Sequence, residues 1–194
     1  VSVLDEKIMR RVAGYHDIRM DGMTDIVVRA RGASVMDVGC NRGLVGFEFA
    51  NNGATTVHGC DNFEDGIHTA RQLFVDLRNV ESQFEVVDLT KGPSAFKPFG
   101  EKTEWDIVLL LATYHKLKRV MEPVNLSELV TFLGRRTRRY LAWRGTSDKP
   151  TENEQEMSRI NRDLESVGMR KVHTSYLSQN LGVCAVWEKG RSPW

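Results

Sequence analysis

The stretch Ser34–Gly46, reading Ser-Val-Met-Asp-Val-Gly-Cys-Asn-Arg-Gly-Leu-Val-Gly, constrains this chain more than any other. Val35, Met36 and Val38 make a short apolar run of the kind buried as a strand, interrupted by Asp37. Gly39-Cys40-Asn41-Arg42-Gly43 follows as a tight turn, and Leu44–Ala50 reads as an apolar helix. Strand, glycine turn and helix in that order open a nucleotide-binding α/β unit. Gly39 and Gly43 are expected to admit a ligand close to the backbone and to take backbone angles that cost other residues more. The spacing is not that of a dinucleotide site, because Asn41 stands where the pyrophosphate fingerprint has its second glycine.

At 194 residues the chain suits one domain with a real core and is short for two. A net charge of +1 announces neither a nucleic acid nor a membrane surface as partner. No apolar run is long enough to span a bilayer, and no charged-then-apolar secretory start is present, so the expected compartment is cytoplasmic. Three cysteines, Cys40, Cys60 and Cys184, lack metal-ligand spacing, and Cys40 and Cys60 read as small buried residues. Five scattered histidines form no H-x-x-x-H pair, so no protein metal site is expected.

Ahead of the glycine turn, Ile8, Val12, Tyr15, Ile18, Met23, Ile26 and Val27 fall at helical intervals, divided by Gly14 and Gly22. Residues 1–31 thus read as a helical arm covering one end of a sheet or the mouth of a site, with Tyr15, His16 and Arg19 as its notable polar members. After Gly53, a helix-ending glycine, Thr55–Cys60 reads as a second strand ending at Asp61, about 20 residues past the turn, where such units place a ribose-binding acid. Asn62 reads as the cap of the next helix, whose Phe63, Ile67, Ala70, Leu73, Phe74 and Leu77 share one face. Phe84–Leu89 is a third strand carrying Asp88. Trp105–Ala112 is the strongest strand, and its largely apolar run predicts a central parallel position. Tyr114 and His115 follow at its carboxyl end, where ligands gather in open α/β sheets.

A helix over Asn125–Leu133, a fifth strand over Arg138–Trp143 and a helix opened by the capping box Thr151-x-x-Glu154 come next. Met169–Tyr176 and Leu181–Trp187 close the chain as two strands. The short connection through Ser178, Gln179 and Asn180 makes them antiparallel. Lys116, Lys118, Arg119 and Arg144 fall at the carboxyl edge of the predicted sheet, and Arg135, Arg136, Arg138 and Arg139 at the other. Trp143 and Arg144 together suit a planar or anionic acceptor.

The motif D-V-G-C-N-R-G, with Asp61 after the second strand and Asp88 after the third, resembles class I S-adenosylmethionine (SAM)-dependent methyltransferases. The resemblance runs from residue 34 to residue 187. It implies a Rossmann-like α/β fold: a doubly wound, mostly parallel seven-stranded sheet with an antiparallel C-terminal hairpin, residues 34–187 forming the cofactor-binding core of a single domain over residues 1–194. It implies SAM as cofactor, contacted by Arg19, Asp37, Gly39, Cys40, Asn41, Gly43, Asp61, Asn62, Asp88, Leu89 and Leu111. Gly-Cys-Asn-x-Gly with Tyr-His-x-Leu after the fourth strand is also similar to a subgroup that includes wobble-uridine tRNA modifying enzymes and sugar methyltransferases.

The implied reaction is in-line displacement at the sulfonium methyl, with His115 as general base for a hydroxyl acceptor and Tyr114 shaping the acceptor pocket. Ala112-Thr113-Tyr114-His115 replaces the D/N-P-P-Y/F-type turn of exocyclic base-amine enzymes, which disfavours that class. The leading expectation is methyl transfer to a hydroxyl-bearing small molecule or glycan. An RNA-modifying enzyme and a non-catalytic SAM-binding protein are the alternatives, and the oligomeric state is left open.

Overall fold

A computed structural model of the chain describes residues 19–177 and 182–190. The sequence expectations at Ile8, Val12, Tyr15, His16, Ile18, residues 178–180 and Leu181 lie outside the described residues. The described elements run α1 (Thr24–Val27), β1 (Ser34–Val38), α2 (Leu44–Asn51), β2 (Thr56–Asp61), α3 (Glu64–Phe74), β3 (Glu81–Val86), a 3-10 segment (Leu89–Phe99), β4 (Trp105–Leu111), α4 (Tyr114–Leu117), α5 (Pro123–Arg136), β5 (Thr137–Gly145), α6 (Pro150–Glu165), β6 (Met169–Tyr176) and β7 (Val183–Lys189). The strands form one seven-stranded sheet in the order β3-β2-β1-β4-β5-β7-β6. All pairings are parallel except β5 with β7 and β7 with β6. This is the doubly wound sheet with a C-terminal hairpin that the sequence predicts.

The central strands are mostly apolar because both their faces are covered. Successive side chains of a strand point to opposite sides. On β4, Val108 and Leu110 enter the core under the 3-10 segment, α5 and α6, and Trp105 joins them because the pairing register shifts between Trp105 and Ile107. Ile107, Leu109 and Leu111 enter a second core, shared with α1, α2 and α3. Met36 and Val38 of β1 join the first core, and Val35 the second. Asp37 shares the face of Val35, so the sheet carries its carboxylate into the buried side next to α2.

Element ends differ from the sequence reading in three places, each for a local reason. The third strand covers Glu81–Val86 rather than starting at Phe84, because Glu81–Val86 pairs along Thr56–Asp61 of β2. Asp88 therefore lies past the strand, as the cap of the 3-10 segment. The expected capping box at Thr151 does not form, because α6 begins one residue earlier at Pro150, a residue suited to a first turn. The approach to that helix is held instead by Asn153, whose Oδ1 accepts from Ser147 N at 3.1 Å and whose Nδ2 donates to Ser147 O at 2.9 Å. Trp143 is fully buried, so it has no face to offer an acceptor.

The described part of the N-terminal arm lies on the second core. Met23, Ile26 and Ala30 are fully buried there. Asp25 meets His173 of β6 at 2.6 Å, and Ser175 Oγ donates to Gly22 O at 3.2 Å. Among the described residues no helix is long and apolar enough to cross a membrane.

A buried polar pair joins β2 to β4. Trp105 Nε1 donates to His58 Nδ1 at 3.0 Å, and the imidazole stacks on Phe99 with ring centroids 5.4 Å apart. Indole is a donor only, so His58 must be neutral at Nδ1. Burial holds its pKa below 6.5. Its unfolded counterpart takes up a proton first as pH falls, so stability is lost on going below 6.5. Thermal unfolding followed from about pH 7.5 to about pH 5.5 checks this: His58→Gln, which keeps an acceptor for Trp105, loses less melting temperature over that interval than the parent.

Candidate functional site: a cavity at the switch point of the sheet

From β1 the chain winds outward through β2 to β3 and then returns to place β4 on the other side of β1. The carboxyl ends of β1 and β4 flank the crevice that this reversal leaves, the usual ligand position in such sheets. A cavity of about 590 Å³ opens there. Arg19, Asp37, Gly39, Cys40, Asn41, Asp61, Asn62, Asp88, Leu89 and Leu111, all singled out from the sequence, line it.

Gly43, the remaining member of the set, is not on the cavity wall. Its φ is +75°, and a Cβ there would come within 2.8 Å of the Ala70 Cβ on α3. Gly39 lines the cavity, but a Cβ on it would collide with Thr113 Oγ1. Both glycines thus have the positive φ that the sequence suggested, and both are also required by protein packing against the turn, which it did not suggest. Thr113 Oγ1 in turn lies 3.2 Å from Val38 O and 3.0 Å from Leu111 O, stitching the turn after β4 to the end of β1.

Asp61 organises the same turn from β2. Its Oδ2 accepts from Asn41 N at 2.8 Å and its Oδ1 from Phe63 N at 3.0 Å. Gly39 N and Cys40 N donate to Cys60 O at 2.8 and 3.0 Å. Each carboxylate oxygen can accept a second bond, so Asp61 can hold the turn and still receive ligand hydroxyls. Asp88 is similar: Thr90 N and Thr90 Oγ1 both donate to its Oδ1, at 3.0 and 2.6 Å, and these bonds hold its carboxyl below the usual range. Asn41 and Ala112, on the turns after β1 and β4, both have φ +52°, a left-handed conformation that non-glycine residues seldom take. Two such turns facing one cavity mark backbone held in place by its surroundings. Asparagine tolerates this conformation better than most residues; alanine does not, so the propensity of Ala112 does not announce it.

Asp37 lies beneath the turn, 3% exposed. Burial and then the nearby charge of Asp61 raise its pKa from 3.8 to about 7, against the pull of Arg19, Arg144 and the Gly46 backbone N–H. Arg144, at the end of β5, is itself buried and donates through Nη1 to the Arg19 carbonyl. The sequence placed Arg144 on the acceptor side; the strand brings it to the cavity with Arg19 and Asp37. Cys40 and Cys60 are buried thiols whose pKa values burial pushes up, which suits packing and not nucleophilic attack.

The two residues proposed for chemistry separate. Tyr114 is 3% exposed within the first core, burial pushes its hydroxyl pKa up to about 12, and it lines neither the first cavity nor the second. His115 lines a second cavity, with Lys118, Arg119, Thr146, Ser147 and Glu156, which shares Thr146 with the first. Burial and neighbouring cations hold its pKa below 6.5, although Glu156 opposes them. Successive helical residues point in different directions, which separates a buried Tyr114 from an accessible His115. Among the described residues no group of three or more His, Cys, Asp and Glu side chains is placed to hold a metal ion.

No family model and no curated protein matches the chain. Solved structures do. Magnesium protoporphyrin IX methyltransferase from Synechocystis PCC 6803, crystallised with bound SAM, aligns with a TM-score of 0.65 at 18% identity, covering 98% of this chain and 85% of that one. The N-methyltransferase NodS from Bradyrhizobium japonicum WM9 aligns with a TM-score of 0.62 at 12% identity, covering 86% and 94%. A SAM-dependent methyltransferase from Methanosarcina mazei gives 0.61 at 13%, covering 82% and 93%. The chain therefore has the class I, Rossmann-like methyltransferase fold.

The raised pKa of Asp37 has a definite consequence for stability. The folded carboxyl keeps its proton up to about 7 and the unfolded one only to 3.8, so stability falls as pH rises between the two. The ceiling on that loss is about 4 kcal/mol. Denaturant unfolding is expected to show Asp37→Asn more stable than the parent at about pH 8, with the difference vanishing toward pH 4.

Proposed function

We propose that the protein is a SAM-dependent methyltransferase acting on an oxygen of a small molecule or glycan. The observation that carries this reading is the single cavity in which Asp61, Asp88, Asp37 and Arg19 converge around a rigid glycine turn. Its residues suit the cofactor's parts in order. Asp61 accepts from ribose hydroxyls, and Asp88 accepts from the adenine amine. Asp37 faces the ammonium, and Arg19 the carboxylate. The cofactor supplies a methyl group on a sulfonium, a leaving group that needs no protonation.

The protein's share of the work is placement and exclusion of water. His115, neutral at pH 7 and reached across Thr146, takes the proton of an acceptor hydroxyl as its oxygen bonds to the methyl carbon. With SAM bound, the carbon–sulfur bond would break as the oxygen–carbon bond forms, its electron pair staying on sulfur. Tyr114 has a different role here: buried under α4, it holds the helix that presents His115.

Calorimetric titration with S-adenosylhomocysteine tests the cofactor reading. Micromolar binding, about −8 kcal/mol, is expected for the parent and is lost in Asp61→Ala. Binding of NAD instead, with no response to S-adenosylhomocysteine, overturns it. Binding should also tighten as pH rises toward 7, because the ammonium favours the ionised form of Asp37 and expels its proton. For the chemical step, His115→Ala keeps cofactor affinity and loses turnover by about 10²–10⁴-fold. Unchanged turnover removes His115 from the mechanism.

A further inference from the structure

We propose that the second cavity is a carbohydrate site: it seats a neutral sugar whose hydroxyl accepts the methyl group, with Glu156 as its buried anchor. This rests on the methyltransferase reading of the first cavity. The second cavity measures about 670 Å³, within the range of small-molecule sites. It shares Thr146 with the first, and His115 stands in its wall. The two cavities differ in chemistry. Val87, Leu89 and Leu111 give the first an apolar wall, which suits an adenine ring, whereas every residue lining the second is polar or charged. The charges of the second cancel, because Lys118, Arg119 and Lys149 are matched by Asp148, Glu152 and Glu156. Lys118 bonds Glu156 at 2.7 Å and Lys149 bonds Glu152 at 3.1 Å, while Arg119 and Asp148 are exposed to water. No charge in this wall calls for a counter-ion, so neither an anion nor a cation gains there by neutralisation. A ligand rich in hydroxyls gains instead, because each hydroxyl both donates and accepts.

Glu156 supplies the fixed point. It is 3% exposed and still lines the cavity. Lys118 occupies one acceptor position on its Oε1, and an ionised carboxylate offers about four. The Lys118 ammonium likewise has more donors than that one bond uses. Carboxylate and ammonium side by side can thus receive two neighbouring hydroxyls, one donating and one accepting, which is the pattern of a vicinal diol. Charge-assisted bonds of this kind are stronger than neutral ones. Ser147 adds a second polar corner: its Oγ donates to Glu152 at 2.8 Å and accepts from Lys149 N at 3.2 Å. A diol seated on Glu156 and Lys118 leaves a further hydroxyl for His115, and beyond Thr146 lies the cofactor cavity. No apolar residue lines the second cavity, so a phenol or a fatty alcohol finds nothing there to cover its body.

The test uses the full chain saturated with S-adenosylhomocysteine. It is titrated with methyl glucoside, methyl mannoside and methyl galactoside, with the matching uronates and with benzyl alcohol, followed by NMR shifts of the His115 ring and the Thr146 methyl. At least one hexoside is expected to shift both signals at millimolar concentration. It binds at least about tenfold more tightly than benzyl alcohol, and more tightly than its uronate. Glu156→Gln lowers that affinity by about tenfold, while S-adenosylhomocysteine affinity stays within about twofold. Gln155→Trp, at an exposed position of α6, narrows the cavity without touching a buried contact and abolishes the shifts. Where Glu156→Gln fails to fold, Gln155→Trp decides. Tighter binding of a trisaccharide of the same hexose identifies a glycan end as the natural source and equal binding a free sugar; the proposal stands in both cases. No response to any hexoside, tighter binding of a uronate or of benzyl alcohol, or full affinity in either folded variant overturns the proposal and leaves the methyltransferase reading standing. Displacement of the hexoside by oligouridylate at low salt overturns it in favour of an RNA acceptor. Failure of the parent to bind S-adenosylhomocysteine overturns the methyltransferase reading and this proposal with it.

Discussion

The carboxylate of Asp61 fastens the turn after β1 to the turn after β2. One oxygen takes Asn41 N and the other takes Phe63 N. Without that bridge, the amides of a glycine-rich turn would need water to satisfy them. With it, the turn is held open at the switch point, and Thr113 closes it from the β4 side. The cavity is therefore bounded by three strand ends tied to one another, and its shape is set before any ligand arrives. Preorganisation of this kind suits a reaction in which most of the catalytic effect comes from placing two reactants in line.

The second constraint is charge in a buried place. Asp37 sits on the apolar face of β1 because strand alternation puts it there, and burial makes its ionised form costly. Arg19 and Arg144 offset part of that cost. Two arginines, an aspartate and the two acids at the far end give the cavity a direction, acidic toward β3 and basic toward β5. In the proposed function this direction matches the cofactor's own sequence of groups.

Much of the fold was legible because its signals are local. The unbroken apolar run Ile107–Leu111 reads as a strand covered on both faces, and the short connection near residue 180 joins antiparallel neighbours. Asp61 at the end of β2 was legible by its spacing from the glycine turn, and Asp88 by its place at the end of the third strand's run. Less legible were the element ends set by pairing, such as the start of β3 at Glu81, and the cap of α6, where Asn153 and Ser147 pair in place of Thr151 and Glu154. Such choices compare alternatives that differ by about 1 kcal/mol, and tertiary contacts decide them.

By itself the sequence determined the class of the fold, the succession of its strands along the chain and most of the residues that line the first cavity, because strand period, glycine spacing and acidic strand ends are short-range properties. Only the tertiary structure decided which side chains of the four-residue helix α4 face a cavity. It buried Tyr114, turned His115 to a second cavity, left Lys116 at the mouth of the first, and brought Arg144 to Asp37 and Arg19 from more than a hundred residues away. It also showed that Gly39 and Gly43 are held to glycine by Thr113 and Ala70. The physical reason is common to all of these. Which face of a short helix is buried, and which atom fills the space beside a glycine, depend on neighbours that are distant in the chain.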